Sequence, residues 1–189
     1  MMASPFSPSD IIQDKTLQIA HLDVAKAIAH YEDSGKNFLV LGNFRLDKSS
    51  FKLSLKGELT TDGITVSEFN KIPNYSFGIR FDLDEDLVAM EAVSNLLADF
   101  LKANGGEDWE LTQPVKDDKI YIKLKTTSDK KRFNIVSNVK LDPKRVSDAN
   151  LSRGQKVEII GDLGVYCNIP DKKAGVTFSA RKVIFEEQQ

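Results

Sequence analysis

The chain has 189 residues, 41% apolar and 29% charged, ordinary values for one globular domain with a full core. No apolar run reaches membrane-span length and the first residues lack the apolar core of a signal peptide, so neither a transmembrane span nor a secretory leader is expected. A single cysteine, Cys167, excludes an internal disulfide, and a net charge of -2 conceals an asymmetry: residues 57–115 hold 3 Lys/Arg against 12 Asp/Glu, residues 116–145 hold 10 against 4. A basic segment within an acidic chain points to a localised anion site.

Residues 1–9 contain two prolines and three serines and read as a flexible arm. The rest, 10–189, reads as a single domain. Residues 11–19 are compatible with helix or extended chain. A helix is predicted over 23–33, where Val24, Ala27, Ile28 and Tyr31 recur at helical spacing and Gly35 is a stop. Strands follow at 38–44, 51–56 and 64–69, with Thr61-Asp62-Gly63 as a turn. The strand at 75–83 places Phe77, Ile79, Phe81 and Leu83 on one apolar face and Arg80 opposite.

Asp84 is expected to cap the strongest helix of the chain. Ala89, Met90, Val93, Leu96, Leu97, Phe100 and Leu101 share its apolar stripe, and Gly105-Gly106 ends it. Beyond Trp109 and Pro114 the pattern returns to strands, at 119–126, 132–139, 156–161, 163–168 and 175–185. Many short strands around one long helix predict a mainly β, closed or nearly closed barrel.

The strand Ile120-Tyr121-Ile122-Lys123-Leu124-Lys125 carries the sharpest signal. Alternation sends Ile120, Ile122 and Leu124 to one side and Tyr121, Lys123 and Lys125 to the other. A single nucleic-acid strand needs that combination: cations for phosphates and a flat ring for a base. Lys130, Lys131 and Arg132 follow at the next turn and Lys140 soon after. Alternation alone is equally satisfied by a solvated outer face.

The case for catalysis is thin. His21 and His30 are nine residues apart, about 900° of helical rotation, so they fall on opposite faces of any shared helix. Cys167 has no histidine near it. No phosphate-binding glycine loop and no Cys/His metal spacing occurs. Asp82, Asp84, Glu85 and Asp86 could be a divalent-metal cluster of the nuclease kind, but carboxylates also gather at helix starts because the macrodipole favours them there.

The closing segment is the most specific. Gly154 precedes a strand, Tyr166 sits in the next, and Ala174-Gly175-Val176-Thr177-Phe178-Ser179-Ala180-Arg181 begins the last. Together with Ile79-Arg80-Phe81-Asp82-Leu83 before the long helix, this resembles the single-stranded DNA-binding proteins of tailed phages and large DNA viruses. The resemblance runs from about residue 75 to 185. It implies a single OB-like antiparallel β-barrel with an inserted helix, here joined to an N-terminal helix. It also implies base and phosphate contacts from aromatic and basic residues on the barrel face, with Tyr166 at the matching position. The chain departs from that family where it ends Phe185-Glu186-Glu187-Gln188-Gln189 instead of in a long acidic tail.

The expectation is therefore non-sequence-specific coating of single-stranded DNA in viral or phage replication and recombination, without catalysis, cofactor or metal. The candidate contacts are Arg80, Tyr121, Lys123, Lys125, Lys130, Lys131, Arg132, Lys140, Tyr166 and Arg181. Single-stranded DNA is the expected partner, with replication proteins or a second copy as further candidates and no membrane. The expected location is a reducing compartment, the host cytoplasm, or the nucleus for a virus of a eukaryote. The rival readings are a β-rich viral assembly protein and a metal-dependent nuclease built on Asp82–Asp86.

Overall fold

The structure, a computed structural model, describes residues 5–14, 17–36, 39–46, 51–62, 65–69, 72–112, 115–116, 119–124, 134–136 and 152–185; in the strands at 65–76, 116–124 and 134–136 it describes the backbone. In chain order the elements are α1 (Pro8–Asp14), β1 (Leu17–Ala20), α2 (Val24–Ser34), β2 (Leu39–Leu46), β3 (Leu53–Leu59), β4 (Thr65–Phe69), β5 (Ile72–Phe81), α3 (Asp84–Ala103), β6 (Glu110–Thr112), β7 (Val115–Lys116), β8 (Lys119–Leu124), β9 (Asn134–Val136), β10 (Lys156–Asn168) and β11 (Lys173–Phe185).

Five of these strands close into a ring. β3 pairs antiparallel with β5, β5 antiparallel with β8, and β8 parallel with β11. β11 then pairs antiparallel with β10, and β10 antiparallel with β3. Numbered along the chain, the ring order is one, two, three, five, four and back to one. A three-strand meander closed by a parallel three–five pair and an antiparallel four–one pair is the OB barrel. β2 continues the edge of β10 beyond β3, and β1 pairs with β2. The long helix α3 joins the second and third ring strands.

The interior follows alternation. Along β10, Val157, Ile159, Leu163, Val165 and Cys167 point inward, and Leu53, Leu55, Phe77, Ile79, Phe178 and Val183 meet them. On α3 Ala89, Met90, Val93, Leu97 and Leu101 of the expected stripe are buried and Leu96 and Phe100 are half-buried; Met90, Val93, Leu97 and Leu101 each contribute about 1.5–3 kcal/mol by leaving water. The helix packs on α1, β5, β7 and β11. No helix among the described residues is long and apolar enough to cross a membrane.

Several expectations are corrected. The strands expected at 156–161 and 163–168 are one thirteen-residue strand, β10. Gly161 marks not a break but a register shift against β11. A Cβ there would lie 2.2 Å from the Ser179 carbonyl oxygen, so only glycine lets the two backbones approach at this bend. Leu83 is exposed instead of joining the apolar face of β5, because that strand ends at Phe81. Leu83, not Asp84, occupies the N-cap of α3, and no side chain caps it.

Residues 5–9 are not a loose arm. Phe6 bridges to Leu53 with backbone bonds of 2.8 Å to the Lys52 oxygen and 2.7 Å from the Ser54 nitrogen, and its ring meets Phe51 edge-on at 6.2 Å. The ambiguous stretch 11–19 is both helix and strand, α1 to Asp14 and β1 from Leu17.

Candidate nucleic-acid interface

The outer face of the barrel is built by the same alternation that fills the core. With Val165 and Cys167 buried, Tyr166 faces outward and is half-buried. Its ring does not stand free. Tyr166 pairs with Gly175 on β11, and a Cβ on Gly175 would fall 2.7 Å from the ring Cε1 and 2.9 Å from its hydroxyl oxygen. The ring therefore lies across β11, filling the space that any side chain at 175 would need. A ring laid down in this way loses little conformational freedom when a base stacks on it.

Register brings four candidate residues onto adjacent strands. Tyr121 pairs with Gly78 and Lys123 with Ser76 on β5. Lys123 also pairs with Ser179, which pairs with Asp162 on β10. Arg80, exposed, pairs with Glu58 on β3 and Lys119 on β8. Arg80, Tyr121, Lys123 and Tyr166 thus belong to the contiguous ring strands β5, β8, β11 and β10. At about 4.8 Å between strands, these span roughly 14 Å. The second and third ring strands, β5 and β8, form the face on which OB barrels characteristically bind oligonucleotides. Lys125, Lys130, Lys131, Arg132 and Lys140 lie outside the described residues.

Four described cations of the barrel surface have acidic neighbours. Arg181 Nε donates to Asp162 Oδ2. Lys156 Nζ donates to Asp82 at 2.6 Å and lies 3.8 Å from Glu58. At the β10–β11 turn, Lys172 meets Asp108 at 2.6 Å and Lys173 meets Glu110 at 3.9 Å. The hydrogen bond from Lys172 holds the Asp108 carboxyl below its ordinary range, and the bond that Lys156 donates to Asp82 raises the Lys156 ammonium. All these pairs are largely solvated, where an ion pair is worth about 0–1 kcal/mol. A phosphate can replace such a carboxylate at little cost.

Two surface residues were missed by the sequence reading. Leu39 and Leu41 are 57% and 65% exposed on β2, and Leu41 pairs directly with Tyr166. The signal was present in the apolar run Phe38-Leu39-Val40-Leu41. An apolar run makes both faces of a strand apolar, and in β2 only one of them meets the core.

The acidic cluster does not converge. Asp82 is held by Lys156, and Asp84 and Glu85 are exposed on the first turn of α3. Asp86 turns inward and is 4% exposed, with one carboxylate oxygen unpartnered. Burial pushes its carboxyl above the ordinary range, opposed by a hydrogen bond from the Ser9 backbone N–H. It lines a cavity of about 230 Å³ beside Asp10, Ser54, Lys56 and Glu158. Among the described residues no three His, Cys, Asp or Glu side chains could hold a metal ion. His21 precedes α2 in a left-handed conformation, φ 62°, and accepts from Arg45 Nη2, while His30 lies within α2. The Cys167 thiol is buried, and desolvation pushes it up to about 11.

No family model matches the chain, and no curated protein does. Among solved structures, it is similar to gp2.5, a single-stranded DNA-binding protein encoded by bacteriophage T7. Identity is 13% and the TM-score 0.46, over 75% of this chain and 88% of that one. It is also similar to the single-stranded DNA-binding protein of bacteriophage Enc34, solved as a C-terminal truncation (11% identity, TM-score 0.44) and in complex with single-stranded DNA (12%, 0.44). Each covers 78% of this chain and 91% of that one. The fold assignment rests on the strand pairings.

Proposed function

We propose that this protein binds single-stranded DNA without sequence preference and without catalysis, and that it serves to coat the strand during replication or recombination. The observation that carries the reading is the closed OB ring whose outer face bears Tyr166 laid across Gly175. Tyr121 and Lys123 occupy the third strand of the same ring. The basic segment 116–145 begins just before that strand and supplies the charge a polyphosphate requires. Bases stack on the rings and cations follow the backbone, a mode that tolerates any sequence because every base has a flat face.

The nuclease reading is disfavoured by the placement of its own residues: Asp82 is engaged by Lys156 and Asp86 is turned into the protein. The deciding experiment is titration of the protein with oligo-dT at two salt concentrations. If about four phosphates are neutralised, the slope of log affinity against log salt is near -3. A slope near zero, or equal affinity for duplex and single strand, removes the proposal.

A further inference from the structure

The outer faces of β2, β10 and β11 form one surface beside Tyr166. Leu41 is directly opposite Tyr166, Leu39 opposite Asn168, and Asn43 opposite Gly164. On the other side the Tyr166 ring covers Gly175, next to the half-buried Thr177. Leu39, Leu41 and the half-buried Tyr166 are contiguous, unlike apolar side chains exposed singly, and a contiguous apolar patch is the kind of surface that marks a binding site. β2 pairs with β10 over Leu39–Asn43 and with β1 over Asn43–Leu46, and the surface formed here is the outer face of these strands.

We propose that Leu39 and Leu41 are base-contact residues. Together with the Tyr166 ring they form one apolar platform, across which a nucleobase of the bound single strand lies. This deepens the proposed single-strand binding and rests on it.

Three observations select a nucleobase over another occupant. The platform spans two inter-strand spacings, about 10 Å, which suits a flat base and little more. Its apolar part is one aromatic and two leucine side chains, far short of the ~800 Å² per partner that a stable dimer requires. Its border is polar: Asn43 and Thr177 stand on the same face, and Lys172 and Lys173 lie at the turn just beyond. Apolar centre, hydrogen-bonding groups at the side and cations at the end match base, base edge and phosphate in turn.

The experiment compares two ligands of equal length: oligo-dT, and an abasic strand carrying the same phosphates without bases. The full-length parent, the double variant Leu39→Ala/Leu41→Ala and the single variant Leu41→Tyr are titrated with both, with thermal melting and sedimentation on the same samples. The double variant should bind dT at least about fivefold more weakly, within the range for losing one base contact, and bind the abasic strand like the parent. Leu41→Tyr should tighten dT binding and leave the abasic strand unchanged, a result that mere unfolding cannot imitate. Unchanged dT affinity in the double variant, with the parent binding normally, overturns the platform alone. Equal loss on both ligands also overturns it, as does conversion of a parent oligomer to monomer, which would make the leucines a self-association surface. Failure of the parent to bind either ligand overturns single-strand binding itself, and the platform with it.

Discussion

The open face around Tyr166 and the crevice around Asp86 are both places where this barrel departs from apolar inside, charged outside. They do so in opposite ways. At Tyr166 apolar groups are left in water, and the cations nearby are joined to carboxylates that are themselves solvated. At Asp86 a carboxylate is withdrawn from water with one oxygen unpartnered. The difference is exchangeability. A solvated ion pair can give up its carboxylate for a phosphate at a cost of about 1 kcal/mol or less. A desolvated carboxylate cannot change partners without carrying its solvation cost with it. The open face is therefore the one we propose takes a ligand, and the crevice lies where residues 5–14 pack against β3 and α3.

Removing core support that both regions share through the fold should have the largest effect. Leu97 is 1% exposed on the inner stripe of α3, and Leu97→Ala is expected to cost about 2–5 kcal/mol of stability through the cavity it leaves. Chemical denaturation measures it, and a parent-like midpoint would show that α3 is not the barrel's lid.

Tyr166→Ala sharpens the comparison from the open side. Single-strand binding should weaken by about 1–3 kcal/mol, with a smaller loss of stability because the ring is only half-buried. Gly175→Ala should also weaken binding, since its Cβ would lie 2.7 Å from the Tyr166 ring and push it off its seat. A Tyr166 variant that unfolds while binding of the folded remainder is normal would move the ring from ligand platform to core.

The crevice is addressed by pH. Because the folded Asp86 carboxyl is raised above 3.8, the folded state holds its proton more tightly than the unfolded state. Its stabilising contribution is complete below 3.8 and is lost as pH rises through the folded value. Asp10 and Asp108 are shifted down, so their contributions are present above 3.8 and fall away only at lower pH. Melting temperatures of Asp86→Asn relative to the parent should therefore move in the variant's favour between pH 4 and 7. A difference that stays flat over that range would mean that Asp86 is solvated.

The smallest effects belong to the exposed cations. Arg181→Ala should change stability by less than about 1 kcal/mol. If Asp162 yields Arg181 to a phosphate, the variant should reduce the salt slope by about 0.7. Lys123→Ala should lower affinity for all sequences by a similar slope change. Slopes equal to the parent's in both variants would place the phosphate path elsewhere on the barrel.

Much of the barrel was legible before its structure, because local patterns report local geometry. Alternation marked a strand at 119–124 and the inward faces of 156–161 and 163–168, and the 3.6-residue recurrence from Ala89 to Leu101 marked α3 and its buried stripe. The buried Asp86 was not legible, since a carboxylate on the first turn of a helix is explained equally well by the macrodipole. Nor were Leu39 and Leu41, because an apolar run does not say which of its faces the core will take.

Sequence by itself determined which residues alternate, where the long helix runs and where positive charge collects, all of which depend on neighbours within a few positions. Tertiary structure alone decided that β3 closes on β10 and β8 runs parallel to β11, that Tyr166 lies on Gly175 with Leu41 at its side, and that the acidic cluster disperses. These rest on pairings between segments from about 10 to about 125 residues apart, which are settled by mutual burial and backbone hydrogen bonding across the whole ring and leave no trace in the local pattern.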